Sequence, residues 1–117
     1  MAIDIPVEIP LVPPEGIVLG VQDDHVTVQP YYGAATLRTQ LKWKSGPDVP
    51  WAIGFLDGRT PFTDGTRVLQ GFGSEMYNSP GGSLRSGHYR YRVAILGTLR
   101  GRPAIFLDAA CPEIIVP

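Results

Sequence analysis

Apolar and polar side chains alternate with a period of two along most of this chain, the spacing of a strand with one buried face. Ile3, Ile5, Val7, Ile9 and Leu11 alternate with Asp4, Pro6, Glu8 and Pro10. Proline cannot donate to a hydrogen-bond ladder, so residues 1–14 are expected to form a Pro-rich edge strand or extended arm. Ile17 to Val21 and His25 to Gln29 are short apolar runs, with Asp23-Asp24 as the turn between them. The clearest alternation runs from Ala35 to Lys44, with Ala35, Leu37, Thr39, Leu41 and Trp43 on the core side. Trp51 to Leu56 reads as a strand closed by Asp57-Gly58, and Thr66 to Phe72 as another. From His88 to Leu96, Tyr89, Tyr91, Val93 and Ile95 point one way, and His88, Arg90, Arg92 and Ala94 the other. Gly97 to Pro103 reads as a turn; Ala104 to Leu107 and Glu113 to Val116 are the last apolar runs. Gly73 to Gly87 lacks periodicity and reads as a long loop.

No stretch shows sustained helical spacing, and prolines interrupt most candidates. The pattern predicts one domain over residues 1–117: an all-β, two-sheet antiparallel β-sandwich, immunoglobulin-like or cupredoxin-like, with about seven to nine short strands. Leu37, Leu41, Trp43, Ile53, Phe55, Tyr89, Tyr91, Val93, Ile105 and Ile115 are the expected core. Trp51 and Tyr31-Tyr32 flank turns, which makes them candidates either for an exposed recognition surface or for capping a sandwich end.

Length and composition fit a self-sufficient domain: 117 residues, 44% apolar and 18% charged. A net charge of −1 argues against phosphate-driven nucleic-acid binding. The charges are segregated. Met1 to Tyr31 hold five acids (Asp4, Glu8, Glu15, Asp23, Asp24) and no Lys or Arg. Leu84 to Pro103 hold five arginines (Arg85, Arg90, Arg92, Arg100, Arg102) and no acid. Such surfaces either pair within one fold, or make head-to-tail contact between subunits, or bind an anionic ligand. The single cysteine, Cys111, allows no internal disulfide. No signal-peptide pattern and no apolar run of bilayer-spanning length is visible, so a cytoplasmic location and no membrane contact are expected.

The spaced residues Val26-Thr27-Val28-Gln29, Leu41-Lys42-Trp43, Ile53-Gly54-Phe55 with Pro61-Phe62, Tyr89-Arg90-Tyr91-Arg92-Val93 and Asp108…Pro112-Glu113-Ile114-Ile115-Val116 resemble a group of small bacterial β-sandwich proteins, cupredoxin-like or immunoglobulin-like, without assigned function. The resemblance covers about residues 25 to 117 and implies the fold alone. Ala109-Ala110-Cys111 between the Asp and the Pro, and the Pro-rich arm, depart from the group's pattern.

A cupredoxin-like fold raises the question of copper. Blue-copper centres use two His, a Cys thiolate and a weak axial ligand. His25, His88, Cys111 and Met76 supply that set in composition, but nothing after Cys111 is a His or a Met, so the clustered ligand loop is missing. The simpler reading places His25 at a turn, His88 on a polar strand face and Cys111 as a buried thiol. No nucleophile elbow or phosphate loop is present, and Asp57-Gly58 and Asp64-Gly65 are ordinary turn dipeptides. The expectation is a non-catalytic binding or assembly module without a cofactor or metal. Its contacts would come from the arm, from Arg90, Arg92, Arg100 and Arg102, and from Met76 and Tyr77 in the 73–87 loop. The partner would be a second copy or an unknown protein. The alternative is a copper or redox protein of cupredoxin type using His25, His88 and Cys111. The arm's apolar face is expected to dock on a sheet edge, its own or a neighbour's, with Asp4 and Glu8 available to the arginines.

Overall fold

The computed structural model describes residues 9–77, 83–108 and 110–117, with the backbone alone for 75–77. The described chain is all β, in two sheets. The smaller sheet has the order β2-β1-β4-β7, from β1 (Ile17–Gln22), β2 (His25–Gln29), β4 (Leu41–Lys44) and β7 (Ser74–Tyr77). The larger has the order β3-β10-β8-β5-β6, from β3 (Tyr32–Ala34), β5 (Pro50–Phe55), β6 (Val68–Phe72), β8 (Gly87–Leu99) and β10 (Glu113–Val116), with β9 (Arg102–Leu107) also paired to β8. Most pairings are antiparallel, but β1 runs parallel to β4 and β10 parallel to β3.

Strand β8 is the spine. One of its edges pairs along β5; the other pairs with β10 near its start and with β9 near its end. Its odd positions Tyr89, Tyr91, Val93 and Ile95 are buried, as the alternation requires. They meet Ile17 and Leu19 of β1, Leu41 and Trp43 of β4, Trp51, Ile53 and Phe55 of β5, and Ile114 and Val116 of β10 in one core. Four aromatic rings pack at its centre: Trp43 lies edge-on to Tyr91 at 5.9 Å and to Phe55 at 6.3 Å, and Phe55 edge-on to Phe62 at 5.8 Å. Such contacts add to the burial term by about 0.5–1.5 kcal/mol each.

The tight turns follow the sequence. Asp23 and Asp24 both take positive φ (52° and 61°) in the hairpin that pairs Gln22 with His25. That is the backbone of the two-residue turn whose twist matches a hairpin. The arm meets a sheet edge of its own domain at its last residues. Leu11 bridges Ala34 in parallel, the Val12 N–H donates to Ala34 O at 2.8 Å, and the Ala34 N–H donates to Pro10 O at 2.8 Å. The rest of the expected arm, residues 1–8, lies outside the described residues.

Several strand expectations are corrected. The Ala35–Lys44 strand is confined to Leu41–Lys44, because Thr36 and Thr39 tie the preceding residues into a turn: the Thr36 N–H donates to Thr39 Oγ1 at 2.8 Å and the Thr39 N–H to Thr36 O at 3.1 Å. Leu37 therefore sits at a turn, 47% exposed, and is not core. The Gly97–Pro103 turn is only Arg100-Gly101, since Leu99 pairs with Arg102. That register turns Ile105 outward and Phe106 inward, and in β10 it is Ile114 and Val116 that are buried, with Ile115 half-buried. Trp51 is buried, and its indole N–H donates to Gly73 O at 3.0 Å, so it closes a sandwich end and is no exposed anchor. The 73–87 segment begins as strand β7, and Leu84 is buried against the core while its N–H donates to Leu37 O at 2.7 Å.

Candidate functional site

The outer face of the larger sheet carries an apolar trough. Its floor is made of small residues: Ala52 of β5 stands opposite Ala94 of β8, and Gly54 opposite Arg92. Its walls are tall. On β6, Val68 and Phe72 stand opposite Gly54 and Pro50, with the polar Gln70 between them opposite Ala52; on β9, Leu107 and Ile105 stand opposite Ala94 and Leu96. Val68, Phe72, Leu107 and Ile105 are 68–70% exposed. Two depressions, about 240 and 200 Å³, share Ala52 and Ala94 and so form one continuous feature. The walls are three strand spacings apart, about 14 Å between backbones. A contiguous exposed apolar patch on a small domain marks an interaction surface, whereas single exposed apolar residues need no explanation.

Arg92 closes one end of this trough, in the row Val68–Gly54–Arg92. Among the described residues it has no ion-pair partner. Arg90, one outward position further along β8, is engaged: its Nη2 lies 3.1 Å from Asp57 Oδ2, and that hydrogen bond raises the guanidinium pKa. Next in the row, His88 Nδ1 lies 3.8 Å from Glu113 Oε2.

The arginines that cluster in sequence are dispersed in space. Arg90 and Arg92 share the outer face. Arg100 sits in the β8–β9 turn with positive φ, and Arg102 pairs with Leu99, which by alternation belongs to the opposite face. Met76 and Tyr77 pair through their backbones with Lys42 and Leu41 in the smaller sheet, away from the trough; their side chains lie outside the described residues. The trough walls escaped the sequence reading because strands were read for one buried face. The available signal was the unbroken apolar run Ala104-Ile105-Phe106-Leu107, which leaves a strand apolar on both sides.

The residues of the copper alternative are not assembled. Among the described residues no three His, Cys, Asp or Glu side chains gather as a metal site. His25 is exposed beside the β1–β2 turn, His88 faces Glu113, and Cys111 is half-buried and not the fully buried thiol expected. A separate polar corner lies nearby: the Tyr31 hydroxyl donates to Asp108 Oδ2 at 3.1 Å, and desolvation, then Asp108, push the Tyr31 pKa upward. No described helix is long and apolar enough to cross a membrane.

Comparison with known protein families, with curated proteins and with solved structures finds no match to this chain.

Proposed function

We propose that this protein is a non-catalytic assembly module whose outer-face trough receives the edge of a second copy. The observation that carries the reading is the continuous apolar trough closed at one end by Arg92. Charge complementarity points to a second copy as the occupant. Residues 1–31 carry five acids and no Lys or Arg, and the trough presents an arginine without a carboxylate partner among the described residues. Shape agrees. A trough with tall walls cannot pack on its own image, but it takes a ridge. Ile9 and Leu11 are exposed at the edge beside β3, and a sheet edge presents backbone groups that a second strand can pair. A trough joined to an edge is a heterologous, head-to-tail contact, which builds rings or open chains.

The trough measures three strand spacings by five residues, on the order of 250 Å². A standard interface buries about 800 Å² on each side. The trough thus supplies an apolar centre, and the association is weak and concentration-dependent. Solution mass by light scattering should rise above the 12.7 kDa monomer with concentration. Leu107→Arg should hold the protein at monomer mass with an unchanged melting temperature, because Leu107 is already largely in water. A wild-type protein that stays monomeric at millimolar concentration, or a Leu107→Arg variant that associates as wild type does, overturns the reading.

A further inference from the structure

At one rim of the sandwich, three arginines from three separate segments line one cavity. Arg59 lies between β5 and β6, Arg67 immediately before β6, and Arg85 shortly before β8. Together with Thr60 and Tyr89 they line a cavity of about 400 Å³. Like charges gathered at one opening repel one another, and an arrangement of this kind is maintained where a counter-charge completes it.

Asp57, the carboxylate that precedes Arg59, is engaged elsewhere. It is turned to Arg90, 3.1 Å away on the outer face. Asp64 Oδ1 accepts the Thr66 N–H at 2.9 Å, closing its own turn. Among the described residues, none of Arg59, Arg67 and Arg85 forms an ion pair.

The arginines are also positioned. The Arg59 guanidinium lies over the buried Tyr89 ring, its Cζ 5.4 Å from the centroid. The Tyr89 hydroxyl lies 3.0 Å from Arg85 O and 2.8 Å from Ser86 O, so one buried side chain braces both the Arg59 plane and the Arg85 backbone. Arg85 Nη2 donates to Thr63 O at 3.4 Å. A Cβ on residue 87 would stand 2.9 Å from both Arg59 Nη2 and the Tyr89 hydroxyl, so Gly87 lets the backbone come close to this pair.

We propose that this pocket binds a dianionic oxyanion of the phosphate-monoester or pyrophosphate class through Arg59, Arg67 and Arg85. Three planar forks offer more donors than the two oxygens of a carboxylate accept, whereas a phosphate presents three or more acceptors in different directions. The cavity far exceeds the roughly 30 Å³ that one water occupies, so it has room for the group that carries the phosphate. The net charge of −1 favours a small ligand over a nucleic-acid backbone.

Isothermal titration with pyrophosphate, glucose 6-phosphate and inorganic phosphate, each against sodium chloride at matched ionic strength, tests the assignment. Pyrophosphate should bind one-to-one. Its affinity should fall at least about tenfold in Arg67→Gln and in Arg59→Gln, and stay within about twofold in Lys44→Gln on β4 of the smaller sheet. Glucose 6-phosphate binding more tightly than inorganic phosphate identifies the ester as the ligand class; the reverse order identifies the free anion. Arg67 is exposed, so Arg67→Gln keeps its melting temperature and reports binding alone even if Arg59→Gln is unstable. No saturable binding of pyrophosphate up to about 10 mM, or an equal loss in Lys44→Gln, overturns the proposal.

Discussion

Tyr91 illustrates how one buried atom sets both stability and its pH dependence. The side chain is fully buried, and its hydroxyl has no hydrogen-bond partner among the described residues; the same holds for the neighbouring Trp43 indole nitrogen. Leaving a buried polar group unpaired costs about 1–3 kcal/mol. Tyr91→Phe removes the oxygen while keeping the ring that packs on Trp43 and Phe55. It should therefore raise unfolding stability by about 1 kcal/mol, read from denaturant midpoints at neutral pH. Burial also pushes the Tyr91 pKa above the ordinary tyrosine value of about 10, while the Trp43 N–H, close by but outside hydrogen-bond geometry, pulls the other way. Above pH 10 the unfolded chain releases this proton and the folded chain keeps it. The unfolded state then binds fewer protons, so stability is full below pH 10 and falls as pH rises beyond it. In Tyr91→Phe the alkaline decline should be shallower. A variant with the wild-type alkaline slope would assign that slope to other groups.

At the scale of elements, the strands legible in sequence were those whose two faces differ. Strand β8 alternates cleanly and is legible from His88 to Leu96, but not over Gly97–Leu99; β5 and β6 are legible to within about two residues, the ordinary boundary error. The Ala35–Lys44 pattern misled because two threonines satisfied their backbone locally, and period-two spacing does not reveal a side chain that hydrogen-bonds into a turn. Strand β9 misled because it is apolar on both faces, so alternation could not fix its phase. Gly97 supplies the physical reason for the observed phase: a Cβ there would stand 2.9 Å from Phe106 Cε2, so the ring lies across the glycine on the inner side. Gly97→Val should cost about 1–3 kcal/mol through overpacking. Gly54, in the trough floor, makes a clean contrast because a Cβ there meets nothing within 4 Å. Gly54→Val should be neutral or stabilising by up to about 1 kcal/mol, while filling the floor and weakening self-association. Thermal melts of the pair check the packing, and light scattering of Gly54→Val checks the trough.

For the molecule as a whole, the all-β two-sheet class and most of the core were visible in the alternation, but neither candidate site was. The trough needs the register that lines up Gln70, Ala52, Ala94 and Leu107 across four strands. The arginine pocket needs positions 59, 67 and 85 brought to one rim. Both are products of pairing between distant segments, and the one cluster that sequence did suggest, Arg85 to Arg102, is split between the two faces of the sheet and its rim.

One pairing has a consequence in time. Strand β10 lies between β3 and β8 and buries Ile114 and Val116 in the core. As the chain is synthesised, β3 is made early, yet the neighbour it needs arrives only with residues 113–116. Until then the edges of β3 and of the first half of β8 face each other across an empty place in the sheet. Closing that gap joins Ala34 to Ile115 across most of the sequence, and such long-range parallel closure is slow, on the millisecond-to-second scale of non-local β topologies. The unfinished sheet is thus the species most exposed to wrong partners, and refolding rates should drop when Ile114→Ala weakens the closing strand if closure is the barrier, as stopped-flow tryptophan fluorescence would register. Strand β10 thus acts as a delayed keystone between β3 and β8.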